Sequence, residues 1–167
     1  DYIGVPKPQE SDQHWRHAIP LLSFNGCNLA NKKLHSQNIH LELLRSGFFD
    51  RLLSNADELL LIGCRDLRNK ICKKYNIKNV EWIAIPGEAK FVDNQELHYP
   101  NKYLSIKDEI QAKYKKLVLV GAGLPGNSYC HWAKQLGAVA IDIGSVMDIW
   151  DNEETRTSFN KYAKYAL

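Results

Sequence analysis

The chain has 167 residues, 44% of them apolar, which is enough for one respectable core, and nothing in its length calls for more than one compact domain. Its 22 Lys and Arg residues against 19 Asp and Glu leave a formal charge of +3, too mild a balance to predict nucleic-acid binding. No apolar run is long enough to span a membrane. Cys27, Cys64, Cys72 and Cys130 show neither a C-x-x-C pair nor ligand-like spacing with histidine, which speaks against zinc or a disulfide framework and fits a reducing cytoplasm.

In chain order, Asp1 to Val5 reads as a short strand closed by Pro6 and Pro8, and Ser11 is placed to cap a helix carrying Trp15, Ala18, Ile19, Leu22 and Phe24, weakened by Pro20. Opening on a strand with no basic or signal-like lead-in implies a native segment before Asp1; the plain alternative is an ordinary short amino terminus. A second helical pattern follows Ser36, with Ile39, Leu41, Leu43, Leu44 and Phe48, broken at Gly47 and resumed through Leu52 and Leu53. The grammar then becomes regular. Leu59 to Ile62 is a buried-type strand, Leu67 to Tyr75 a basic helix, and Val80 to Ile85 another strand. A loop from Pro86 to Pro100 leads to a polar helix from about Lys102 to Ala112. The lysine clusters at 32–33, 73–74 and 113–116 read as solvated helix ends. No repeat, low-complexity segment or linker interrupts the chain, and the tail from Asp151 carries Phe159, Tyr162, Tyr165 and Leu167 at the spacing of a closing helix. The whole predicts an α/β, Rossmann-like layered fold with a mostly parallel sheet flanked by helices and ligands at the carboxyl ends of the strands.

The most informative stretch lies between Lys116 and Trp150. An apolar run, Leu117 to Val120, feeds the turn Gly121-Ala122-Gly123-Leu124-Pro125-Gly126, and a second apolar run ends on Asp142 about twenty residues later. Strand, G-x-G-x-x-G turn, helix and acidic strand end form a dinucleotide fingerprint, in which a diphosphate rests on the helix beginning near Asn127 and Asp142 binds a ribose hydroxyl. The alternative is that the glycines serve close helix packing and Asp142 is a cap. A nicotinamide enzyme is disfavoured because only about 25 residues follow Asp142, too few for a second nucleotide-binding half. Gly144, Ser145 and Asp148 put a turn, a hydroxyl and a second carboxylate beside the first, a set suited to a sugar, a ribose or a metal-bound phosphate.

Arg65 and Asp66 follow a strand, where a guanidinium can meet phosphate; a local ion pair with Asp66 as a helix cap is the competing reading. Glu88, in a proline-glycine loop, and His98 are candidates for acceptor binding or proton transfer. His14, His17, His35, His40 and His131 lack partners at metal-like spacing and read as structural. Trp132 and Trp150 are candidates for stacking on a base or sugar, although packing is the commoner fate of tryptophan.

The runs 119–130 and 140–150 resemble the bacterial glycosyltransferases of the GT-D fold type, and the likeness extends more loosely to residues 61–67, 85–89, 98–100 and Ile3-Gly4-Val5-Pro6. The resemblance implies one nucleotide-sugar-binding domain over residues 1–167, a UDP-sugar donor, a glycan acceptor in surface polysaccharide or glycoprotein synthesis, and Mn2+ or Mg2+ at the diphosphate. It implies a cytoplasmic place, peripheral at the inner face of the membrane, with other domains of a larger glycosyltransferase as partners and no nucleic acid. Two features depart from the family pattern: an acidic R-x-G-D-G-E-like motif has no counterpart and would fall before Asp1, and Asn127 stands where a basic residue is common. The resulting expectation is that Asp148, Glu88 and Asp66 are catalytic. Gly121, Ala122, Gly123, Leu124, Gly126, Asn127, Asp142, Ser145 and Arg65 are expected to hold the donor. The alternatives are a non-catalytic nucleotide-binding module of a larger protein and an NAD(P)-binding oxidoreductase domain.

Overall fold

The structure is a computed structural model that describes residues 2–5, 33–36, 38–87, 98–154 and 161–167. The chain divides into two compact units, Asp1–Leu43 and Leu44–Leu167. In the first, β1 (Tyr2–Val5) pairs in parallel with β2 (Lys33–Ser36), with Tyr2 opposite Lys33. The segment Lys-Leu-His-Ser lacks the apolar run that marks a strand, so β2 is visible only through its partner, and Lys33 opens a strand where a helix end was expected. The helix expected after Ser11 lies outside the described residues. Helix α1 (Ile39–Arg45) begins as the spacing after Ser36 predicts.

The second unit continues with α2 (Phe48–Ser54), entered through Gly47, whose φ of 68° ends one helical run and starts the next. There follow β3 (Glu58–Gly63), α3 (Arg68–Tyr75), β4 (Asn79–Ala84), an irregular helical turn (His98–Lys102), α4 (Tyr103–Ala112), β5 (Leu117–Gly121), α5 (Gly126–Gln135), β6 (Val139–Asp142) and α6 (Val146–Asp151). The four strands form one all-parallel sheet in the order β4-β3-β5-β6. An α/β layered fold is what the alternating apolar runs call for.

Because successive strand residues face opposite ways, β3 supplies both layers of the core. Leu60 and Ile62 join Val118, Val120 and Ile83 against Ile106 and Ile110 of α4 and Tyr129 and Ala133 of α5. Leu59, Leu61 and Leu119 are equally buried on the other face, which α2, α3 and α6 cover with Phe49, Leu53, Ile71 and Trp150. Polar ties hold this second layer together: Tyr75 Oη donates to Asp50 Oδ1 at 2.6 Å, and Lys70 Nζ donates to the Trp150 carbonyl at 3.3 Å. Phe159 of the expected closing helix lies outside the described residues; in the described part of the tail Ala163–Tyr165 form a 3-10 turn, and Leu167 N donates to the Trp150 carbonyl at 3.1 Å.

Candidate functional site

Chain order runs from β3 outward to β4, then returns across β3 to β5 and outward to β6. The crossovers after β3 and β5 therefore diverge, and the carboxyl ends of these two neighbours form a crevice at a topological switch point, where open α/β sheets take their ligands. A cleft of about 450 Å³ occupies this position. Its walls come from Cys64 and Arg65 after β3, Ile85 to Gly87 after β4, the turn Gly121 to Pro125 after β5, Gly144, Ser145, Met147 and Asp148 at the start of α6, and His98.

Two glycines set the floor. Gly63 and Gly121 are register partners at the ends of β3 and β5, and the side chain of Met147 fills the space that a Cβ on Gly63 would need. A Cβ on Gly121 would lie 3.1 Å from Met147 Cβ and 3.1 Å from the Gly144 carbonyl oxygen. The missing side chains let α6 press onto the strand ends, which is how Asp148 reaches the cleft. Gly63→Ala should destabilise the protein by about 1–3 kcal/mol through overpacking, and Met147→Ala should relieve part of that loss in the double variant. Urea unfolding of the three variants measures this; strict additivity would contradict the contact.

The glycine turn divides into two parts. Gly121 to Pro125 line the cleft, and Gly123 adopts φ 62° with nothing within 4 Å of a Cβ placed on it. Gly126 and Asn127 lie off the lining. Gly126 is pressed against Asp142, where a Cβ would stand 2.6 Å from Oδ2. Asp142 also accepts a hydrogen bond from Gly144 N at 3.0 Å and does not line the cleft. The last glycine of the fingerprint thus serves close packing of α5 on the end of β6, and the Asp142 carboxylate is wedged between them.

Burial pushes the Asp142 carboxyl above its ordinary value of 3.8, and the Gly144 hydrogen bond opposes this only in part. The folded chain consequently holds this proton more tightly than the unfolded chain. The stability it contributes is present at low pH and is lost as pH rises from 3.8 through the raised folded value. Asp142→Asn should raise the thermal midpoint at about pH 7 and change it little near pH 3, where both states are protonated. A variant less stable than wild type at neutral pH would contradict this linkage.

Across the cleft, Arg65 Nε donates to Asp148 Oδ1 at 3.3 Å and lies 4.0 Å from Asp151 Oδ2. Among the described residues, its Nη groups make no hydrogen bond. Asp66, in contrast, turns to its own helix: it accepts from the Arg68 backbone N–H at 3.2 Å and is held by the Arg68 guanidinium at 2.8 and 2.7 Å. The Arg68 bonds also lower the Asp66 carboxyl below its usual value. Asp66 is absent from the cleft lining, and Glu88 lies outside the described residues.

His98 Nε2 contacts the hydroxyl of Tyr129, whose ring is fully buried and whose phenol is pushed upward by burial. Tyr103 and Trp132 pack around Tyr129 at centroid distances of 5.8 and 5.6 Å, so Trp132 belongs to an aromatic cluster between α4 and α5. Trp150 is 1% exposed and stands edge-on to Phe49, a core position with no access to a ligand. Cys130 is pushed up to about 12, first by burial and then by the Asp142 charge, and stays a thiol at neutral pH. Sequence reasoning missed Asp151, Lys70 and the plugging role of Met147. The i, i+3 spacing of Asp148 and Asp151 is a signal only once α6 is known to be a helix.

The described residues do not make a metal centre. No three His, Cys, Asp or Glu side chains among them converge, and Asp148 is engaged by Arg65. Also among the described residues, no helix is long and apolar enough to cross a membrane.

A parallel α/β unit with a glycine-turn cleft at its switch point is an open α/β fold of the Rossmann-like layered class. More narrowly, the family model for a GT-D-like domain, described as GT-D fold-like, matches residues 1–150. The chain belongs to this family of glycosyltransferase-type fold. No curated protein and no solved structure matches it.

Proposed function

We propose that the chain, as one domain over residues 1–167, is a glycosyltransferase. It would hold a UDP-sugar in the switch-point cleft and pass the sugar to a glycan acceptor in surface polysaccharide or glycoprotein synthesis. The observation that carries this reading is the pairing, on one cleft, of the open turn Gly121 to Pro125 with an arginine whose Nη groups have no partner among the described residues. Backbone approach at Gly123 and the guanidinium of Arg65 suit a diphosphate, Ser145 suits a hydroxyl of the sugar or ribose, and membership of a family of glycosyltransferase-type fold supports glycosyl transfer as the reaction class.

In the transfer, the bond from the anomeric carbon to the β-phosphate oxygen breaks, and a bond from that carbon to an acceptor oxygen forms. UDP leaves with the electron pair, and Arg65 stabilises the charge that develops on the diphosphate. The acceptor hydroxyl proton passes to Asp148, the carboxylate on the cleft wall. No step is assigned to a metal. Asp142 takes a supporting part, fixing α5 against β6 so that the turn keeps its shape.

Asp148→Asn tests the assignment. UDP release from UDP-glucose or UDP-galactose in the presence of acceptor glycans should fall by about 10² or more, the usual worth of a general base. Turnover at the wild-type rate would remove Asp148 from the mechanism.

A further inference from the structure

Arg65 is held by more than the cleft. On α6, Asp148 and Asp151 stand three residues apart on one helical face, and both carboxylates approach Arg65 Nε, at 3.3 and 4.0 Å. Asp151 is fixed in turn: Lys70 Nζ lies 3.0 Å from its Oδ1 and also donates to the Trp150 carbonyl at the end of the same helix. Two carboxylates and two cations alternate in the order Asp148, Arg65, Asp151, Lys70, linking the end of β3, α3 and α6. Only Arg65 and Asp148 line the cleft.

We propose that Asp151, anchored by Lys70, is a positioning residue that sets the aim of Arg65 at the donor diphosphate. This rests on the reading of the cleft as a diphosphate site. A guanidinium bound at Nε keeps its Nη pair for a second, bidentate partner, and the planar group transmits the orientation imposed at one edge to the other. Asp148 cannot supply that orientation throughout the reaction, because it also receives the acceptor proton and loses its charge. A second carboxylate outside the cleft keeps Arg65 aligned while Asp148 changes state.

The test compares wild type, Asp151→Asn, Asp151→Glu, Lys70→Met and Arg65→Met by calorimetric titration with UDP, alongside the Arg65 Nε–H signal in 15N NMR spectra. Asp151→Asn should weaken UDP binding by about five- to tenfold through misalignment and should also lower kcat at saturating donor, because Arg65 stabilises the leaving diphosphate as well. Lys70→Met should weaken it by about two- to threefold, and Asp151→Glu should restore wild-type affinity. The Nε–H signal should shift and exchange faster in Asp151→Asn even without ligand. If Arg65→Met loses UDP and Asp151→Asn binds it like wild type, the positioning role is overturned and the donor site stands. If wild type itself binds no UDP, the donor site falls and this role falls with it.

Discussion

Arg65→Met should weaken UDP binding by about 10- to 100-fold, the loss of charge-assisted hydrogen bonds worth about 1.5–3 kcal/mol. Arg65 is the Lys or Arg residue that the described cleft wall carries, and its Nε already donates to Asp148 with the Asp151 carboxylate 4.0 Å away. A pre-oriented fork loses little freedom when a phosphate arrives. Arg65→Lys should therefore recover only part of the affinity, since an ammonium cannot bond Asp148 and a diphosphate in the same planar geometry. Arg65→Met removes one counter-charge beside Asp148 and Asp151, while Asp151 keeps Lys70 at 3.0 Å and both carboxylates keep 21% and 26% of their side-chain surface in water, so the accompanying loss of stability is small. Calorimetry beside a thermal scan separates the two effects. Unchanged UDP affinity in Arg65→Met would remove Arg65 from the donor site.

Trp150→Ala should cost about 3–5 kcal/mol of folding stability, the range for deleting a buried large aromatic. The indole is 1% exposed, its centroid lies 5.5 Å from that of Phe49 at 83°, and the backbone carbonyl of the same residue takes hydrogen bonds from Lys70 and Leu167. The cavity would open beneath α6, the helix that carries Met147 into the gap between Gly63 and Gly121 and Asp148 into the cleft. Trp150→Phe, which keeps a ring against Phe49, should recover more than half of the loss. Urea unfolding measures both. A loss below about 1 kcal/mol for the alanine variant would show that α6 is not seated as described.

The parts of this architecture written in the sequence are those that depend on local pattern. Leu59 to Ile62 and Leu117 to Val120 are apolar on consecutive positions because both faces of a covered parallel sheet are buried, and each run falls within its strand, β3 or β5. The glycine turn declares itself by composition, and Gly121 to Leu124, Arg65, Ser145 and Asp148 share one cleft.

What spacing does not carry is side-chain direction. Asp142 ends β6, where the fingerprint wants it, yet its carboxylate occupies the space left by the missing Cβ of Gly126. Asp66 and Arg65 are neighbours in sequence, but one turns back to Arg68 and the other crosses 83 positions to Asp148. The fit of Met147 against Gly63 is likewise a product of sheet register and helix placement. The polar strand Lys33–Ser36 has no local signature, because its only descriptor is a partner 31 positions away in the chain.

The most direct measurement is calorimetric titration of the wild-type protein with UDP, with manganese present in cell and syringe and NADH as the comparison ligand. A UDP-sugar site in the switch-point cleft predicts one saturable UDP event per chain, weakened in Arg65→Met, and no binding of NADH. Silence toward UDP, or binding of NADH in its place, would contradict it.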